Sequence, residues 1–198
     1  MYTTQAGLAA RVVEAPVQIS PESIIGPIAL IRLLTVLAQR GTLPIAALPP
    51  GTSPSTSLGH AVQITSAPIV RRCVALARKR VTARRETGNT RRTAAREADF
   101  ACAAYTSAAE LAAALCALDA ATGGAYGGEM RGVRGELVLC LGEAAQMALE
   151  MGKWRKALNL AGCAVAAGEG ASLGEALDAG LRSKNLQRVE AAKSKLNL

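Results

Sequence analysis

Residues 85–108, RETGNTRRTAAREADFACAAYTSA, begin with the short polar segment 85–89 and continue with small and aromatic residues at regular spacing. A glycine and an asparagine are the last two residues of this polar segment, and alanines further along flank Phe100 and Tyr105. An alanine where two helices cross lets their backbones approach closely, while an aromatic ring fills the neighbouring gap. We therefore predict that this stretch holds the first of a set of helical hairpins, with Phe100 and Tyr105 in its core.

The same pattern returns twice further along the chain. It is found at Gly152-Lys153-Trp154 with Ala157, Ala161 and Ala164, and again at Leu186-Gln187-Arg188 with Ala191. Ala157 and Ala191 are separated by the 34-residue period of the tetratricopeptide repeat, a unit of two antiparallel helices. The spacing predicts about three such hairpins.

Composition also favours helices. Hydrophobic residues make up 50% of the 198-residue chain but aromatic residues only 3%, so the apolar content is mostly alanine, leucine and valine. These residues suit close-packed helices better than a β-sandwich or barrel. We predict an all-α fold: a tetratricopeptide-like array of helical hairpins preceded by a small N-terminal module.

Sequence signals divide the chain into three predicted parts. Residues 1–48 form the N-terminal docking module, in which Ser20-Pro21-Glu22 starts a helix and Pro27 restarts or kinks it. Ile28, Ile31, Leu34 and Ala38 recur on one face of that helix before Gly41 ends it. Residues 49–67 form a linker rich in proline and serine, and residues 68–198 hold the repeats. Within the repeats, the glycine-rich residues 119–135 predict a long loop between the first and second hairpins.

The net charge of +8 comes from residues 71–97, where ten of the 23 basic residues, all between positions 71 and 96, occur with only Glu86 and Glu97. Such a block favours an anionic partner, which could be an acidic peptide, a nucleic acid or a lipid surface. The alternative is that these residues form a solvated helix face. A nucleic-acid site would need interleaved aromatic residues, but Phe100 and Tyr105 lie beyond the block. Binding of nucleic acid through Arg71 to Arg96 is therefore the weaker alternative, and we expect no nucleic-acid partner.

Catalytic and metal chemistry find little support. The five cysteines are widely spaced without a Cys-x-x-Cys pair, and His60 is the single histidine. Neither a disulfide framework nor a zinc site is indicated, so we expect reduced thiols that act as small apolar residues. His60 has no acidic neighbour in sequence to form a catalytic constellation. We expect a protein that is not an enzyme and uses no cofactor or metal.

No targeting or membrane-spanning segment is expected. The N-terminus lacks the charged start and apolar core of a secretory signal. The most apolar run, residues 24–38, contains Gly26, Pro27 and Arg32 and is shorter than the roughly 20 apolar residues that cross a bilayer.

Arg85 and Asn89 form the strongest candidate binding pair. They are one helical turn apart and would face the same way into the groove of a hairpin array. A cation beside an amide suits a peptide's terminal carboxylate, because one supplies charge and the other a hydrogen bond. The alternative is an arginine in solvent and an asparagine that helps the hairpin turn.

These motifs resemble a known family. Arg85-x-x-Gly88-Asn89 followed by Asp99-Phe100, Ala103 and Tyr105-Thr106 is similar to the carboxylate-clamp tetratricopeptide repeats of co-chaperones. Further resemblance, at residues 29–40, 43–54, 134–137 and 152–154, is to the small tetratricopeptide subunits of the fungal post-translational translocation complex at the endoplasmic reticulum.

The resemblance implies an adaptor on the cytosolic face of that membrane, peripheral and without its own transmembrane span. Its N-terminal module would dock on a membrane-anchored subunit of the complex. Its groove would capture the acidic C-terminal tail of a cytosolic heat-shock chaperone that delivers precursors. A soluble co-chaperone or a general peptide-binding scaffold with the same repeats is the alternative.

The chain departs from the family pattern at several clamp positions. Asn89 and Phe100 are about three residues further apart than a standard hairpin allows. Glu143 replaces the clamp asparagine of the second repeat, and Leu173 and Leu177 replace the basic residues of the third. Arg85 and Asn89 alone carry over, so Arg91, Arg92 and Lys153 are predicted as auxiliary peptide contacts.

Overall fold

The computed structural model describes residues 26–41, 57–93, 97–169 and 179–198, with side chains from Pro68 onward in the second range except at residue 69. All regular elements in these ranges are helices, which confirms the predicted all-α class. They are α1 Pro27–Gln39, α2 Ser57–Arg92, α3 Ala98–Ala121, α4 Gly127–Met130, α5 Val133–Glu150, α6 Trp154–Glu169 and α7 Ala179–Leu196.

The chain divides into two compact units. The first takes the described residues up to Ala77 and those from Ala114 to Arg131, and the second takes Arg78–Ala113 and the residues from Gly132 onward. This division differs from the predicted sequential boundaries, because α2 and α3 contribute to both units. In addition, α2 begins at Ser57, inside the predicted linker, so His60 lies in a helix. The prolines that marked the linker end at Pro54, and residues 57–67 are mostly compatible with a helix.

In the first unit, α1 follows the predicted pattern. Pro27 is the first helical residue, where its missing N–H costs nothing, and Gly41 has a φ of 66° just past the end of the helix. Ile31, Leu34 and Ala38 are buried as predicted. The apolar face of α1 is thus covered within the chain itself. Ser20-Pro21-Glu22 and the linker residues 49–56 lie outside the described residues.

The glycine-rich residues 119–135 form two short turns around α4 instead of one long loop. Gly123, Gly124 and Gly132 have φ angles of 60°, 78° and 80°. Backbone in this left-handed region strains residues that carry a Cβ, so the glycines permit these chain reversals.

In the second unit, α5, α6 and α7 pack against one another. The turn after α5 is a Schellman motif, in which the N–H of Lys153 donates to the carbonyl of Ala148 at 2.8 Å and Gly152 has a φ of 70°. Ala148, Ala157 and Ala192 form a buried cluster with one residue from each helix. Small side chains at this contact let the three helices approach closely.

The predicted third hairpin, which includes Leu173 and Leu177, lies partly outside the described residues, and its described part is a single helix. Helix α7 runs unbroken from Ala179 to Leu196, through Leu186-Gln187-Arg188, where the repeat pattern occurs for the third time. Ala191 is exposed, whereas its neighbour Ala192 is buried. The 34-residue spacing from Ala157 to Ala191 therefore does not join equivalent core positions. Instead, α7 packs as a single helix on α5 and α6.

Helix α3 is long and apolar enough, by length and composition, to cross a membrane. More than half of its most apolar window is buried in the structure, as in the core helix of a globular protein.

Candidate functional site

The C-terminal turns of α2 contact α3 through Gly88 and Tyr105. A Cβ at Gly88 would lie 2.7 Å from Cε1 of Tyr105, and Tyr105 is fully buried. The Tyr105 hydroxyl donates a hydrogen bond to Oδ1 of Asn89 at 2.7 Å. Burial, with a smaller effect of the Glu143 charge, raises the pKa of Tyr105, so the phenol remains a neutral donor. This contact fixes the position of Asn89.

The predicted binding pair Arg85 and Asn89 lies on one side of α2, as their spacing requires. The Nε atom of Arg85 is 3.1 Å from Oε2 of Glu136 on α5, and both side chains are about one-third exposed or less. The exposed Asn89 accepts from Tyr105, and its amide nitrogen has no hydrogen bond within the described part of the chain. Among the described residues, Asn89 therefore keeps a donor for a ligand. Arg85 already has an anionic neighbour, although its Nε and Oε2 of Glu136 make no hydrogen bond in this part of the chain.

Two predicted auxiliary residues, Arg91 and Lys153, also pair with acidic groups. Arg91 contacts Glu97 at 2.7 Å and lies over the ring of Phe100, 5.4 Å from its centroid. Lys153 pairs with Asp99 at the start of α3. These groups are at the surface, where such pairs contribute little stability.

Phe100 is 63% exposed, so the prediction that it belongs to the hairpin core is wrong, whereas that for Tyr105 is confirmed. The extra residues between Asn89 and Phe100 place Phe100 in the first turn of α3, five residues before the ring that fills the gap at Gly88.

Glu143 on α5 is held between two arginines from different helices. One of its carboxylate oxygens pairs with Nη1 of Arg92 on α2, and the other lies 3.2 Å from Nη2 of Arg188 on α7. Arg188 is held further by Oδ1 of Asn185 at 2.7 Å and by Oε1 of Gln146 at 3.3 Å. We call Arg92, Glu143, Asn185 and Arg188 the central cluster.

The central cluster is closely packed. A Cβ at Gly142 would lie 2.6 Å from Nη1 of Arg188, so the glycine makes room for that guanidinium. Asn185 is fully buried, and its Nδ2 atom has no hydrogen-bond partner among the described residues. A buried donor without a partner costs roughly 1–3 kcal/mol, so it needs a structural or functional reason.

Asn185 and Arg188 were not predicted from the sequence as site residues, and Arg188 was named only as part of the third occurrence of the repeat pattern. The available signal was their spacing of three residues, which places a buried amide and a cation on one side of a helix.

Cys140 lies on the same side of α5 as Glu136 and Glu143. Burial raises its pKa to about 12, the charges of both glutamates add to the effect, and Arg85 opposes it. The thiol is therefore protonated at neutral pH and is no nucleophile. Cys102 is also buried, whereas Cys163 is exposed, and both are free thiols. Within the described residues no three His, Cys, Asp or Glu side chains could hold a metal ion.

No family model, curated protein or solved structure matches the chain. Two clamp positions of the predicted third repeat, Leu173 and Leu177, lie outside the described residues. The last arginine of the basic block, Arg96, also lies outside them.

Proposed function

We propose that the protein is a non-catalytic adaptor that binds an acidic peptide segment on the side of its second unit formed by α2, α5 and α7. One observation carries the proposal: three arginines from α2 and α7 reach the same side of α5. Arg85 meets Glu136, and Arg92 and Arg188 meet Glu143 two helical turns further along. We call this surface the arginine face.

The charges of the arginine face favour an anionic ligand. Three guanidinium groups face two carboxylates, which leaves a net positive charge. Guanidinium groups bind carboxylates through paired charge-assisted hydrogen bonds. The amide N–H groups of Asn89, which have no partner among the residues that the structure describes, add a neutral donor beside them. A peptide with a terminal carboxylate and acidic side chains provides the matching acceptors.

The finer assignment rests on the sequence resemblance. On that basis, the proposed ligand is the acidic C-terminal tail of a cytosolic heat-shock chaperone. The proposed location is the cytosolic face of the endoplasmic reticulum, where the N-terminal module would dock on a membrane-anchored translocation subunit. A soluble co-chaperone would use the same arginine face without that subunit.

The test is a titration of the full chain with a fluorescent chaperone-tail peptide, compared with the same peptide amidated at its C-terminus. Asn89→Ala removes the proposed donor, and Thr90→Ala, at the next exposed position of α2, is the matched control. We expect micromolar binding that both amidation and Asn89→Ala weaken at least tenfold and that Thr90→Ala leaves unchanged. Equal binding of both peptides, or no binding, would contradict the proposal.

A further inference from the structure

The central cluster already contains a bound carboxylate, which belongs to the protein itself. Glu143 presents one oxygen to Arg92 and the other to Arg188. Two guanidinium groups from separate helices, each on one oxygen, form an arrangement that a ligand carboxylate could also adopt.

We propose that Arg92 and Arg188 form a second carboxylate subsite, which Glu143 occupies in the free protein and a ligand carboxylate takes over on binding. This inference rests on the proposed peptide-binding function and adds a binding site and a gating residue to it.

Arg188 is positioned independently of Glu143. Its side chain is 11% exposed, and its Nη1 and Nε atoms donate to Asn185 and Gln146 respectively. The guanidinium therefore keeps its position when Glu143 withdraws, and a preorganised donor loses little entropy on binding a ligand.

Unused binding capacity lies next to Arg188. The Nδ2 atom of the fully buried Asn185 lacks a partner in the described residues, although Oδ1 of the same amide accepts from Arg188. The cluster also holds two positive charges against one negative charge, so a second carboxylate meets a net attractive field.

Arg92 provides the movable side of the subsite. Its side chain is 43% exposed and lies at the last residue of α2, whereas Glu143 is 19% exposed. An ion pair with one such exposed partner is weak, so exchange of one carboxylate for another on Arg92 requires little free energy.

Because Glu143 competes with the ligand, neutralising it should strengthen binding. The test compares the full-length Glu143→Gln variant with the wild type in the titration with the acidic peptide. Glu150→Gln is the matched control, because Glu150 is on the same helix, carries the same charge and bonds to Gln146 instead of an arginine. A third variant combines Glu143→Gln with Arg188→Gln.

We expect Glu143→Gln to bind the peptide about tenfold more tightly, Glu150→Gln to stay within twofold of the wild type, and the Arg188→Gln change to remove the gain. Unchanged or weaker binding by a folded Glu143→Gln variant would overturn the second subsite while leaving wild-type binding as support for the proposed function. Absence of binding by every variant would overturn both.

A second measurement needs no substitution. In the wild-type protein, NMR resonances of the arginine Nε–H groups report on guanidinium contacts. Addition of the acidic peptide should shift the resonances of both Arg92 and Arg188, whereas a titration that shifts only Arg85 would overturn the subsite.

Discussion

A Cβ added to Gly88 would lie 2.7 Å from Cε1 of the buried Tyr105, so α2 and α3 cross at a distance that only glycine permits. The same tyrosine holds Asn89 by a hydrogen bond. One aromatic side chain therefore sets both the helix contact and the orientation of the amide that we assign to ligand binding.

Replacement of Gly88 by alanine should destabilise the protein by about 1–3 kcal/mol, because the new methyl group overpacks the ring of Tyr105. Gly162→Ala in α6 is the matched control, since nothing lies within 4 Å of the Cβ position there. That change should stabilise by roughly 0.5–1 kcal/mol through helix propensity. Urea unfolding measures both, and a Gly88→Ala variant as stable as Gly162→Ala would contradict the close contact.

The Tyr105–Asn89 hydrogen bond should be visible as an energetic coupling. Tyr105→Phe keeps the ring and removes the hydroxyl, which should cost about 0.5–1.5 kcal/mol of unfolding free energy. In a double-mutant cycle with Asn89→Ala, the two effects should be less than additive by about 1 kcal/mol. Strict additivity in urea unfolding would show that the two side chains do not interact.

Cys140 makes stability depend on alkaline pH. Its pKa is raised from 9.0 to about 12 in the folded protein, so its contribution is fully present below pH 9 and is lost as the pH rises toward 12. Between these values the unfolded chain has released the proton and the folded chain has not. The free energy of unfolding should fall by about 1.4 kcal/mol per pH unit from this group.

Urea unfolding between pH 8 and 10.5 tests this dependence. Because Tyr105 and Tyr126 also have raised pKa values, Cys140→Ala should reduce the slope without removing it. Identical slopes for the wild type and Cys140→Ala would contradict the assignment.

The packing of α7 is tested by two adjacent alanines. Ala192 is buried in the cluster with Ala148 and Ala157, so Ala192→Leu should destabilise by about 1–3 kcal/mol. Ala191 is exposed, and Ala191→Leu should change stability by about 0.5 kcal/mol or less. Thermal unfolding compares the two, and the reverse order would restore Ala191 as the core position that the 34-residue period predicts.

Periodicity within a single helix was a reliable guide. Ala157, Ala161 and Ala164 are all buried, as their spacing along α6 requires, and Ile31, Leu34 and Ala38 are buried on α1. Other small or apolar residues of these helices, such as Val36 on α1 and Cys163 on α6, are exposed, so the spacing of three and four residues identified the buried face where composition alone would not have done so.

Comparison between helices was a poorer guide. In α7, Ala191 and Ala192 are adjacent, and only contact with α5 and α6 decides which one is buried. The prediction for Phe100 failed because Phe100 and Tyr105 are five residues apart in one helix, about 140° around its axis, so the two rings cannot both face the same core. The pairing of Arg92 and Arg188 with Glu143 joins three helices, and no local pattern encodes such a contact.

The most direct test of the central claim, that the arginine face binds a peptide carboxylate, is calorimetric titration of the full chain with the acidic peptide in its free-acid and amidated forms. We predict micromolar affinity for the free acid and at least tenfold weaker binding of the amide. Binding of both peptides should be lost in high salt. Equal affinity for the two peptides, or none for either, would contradict the account.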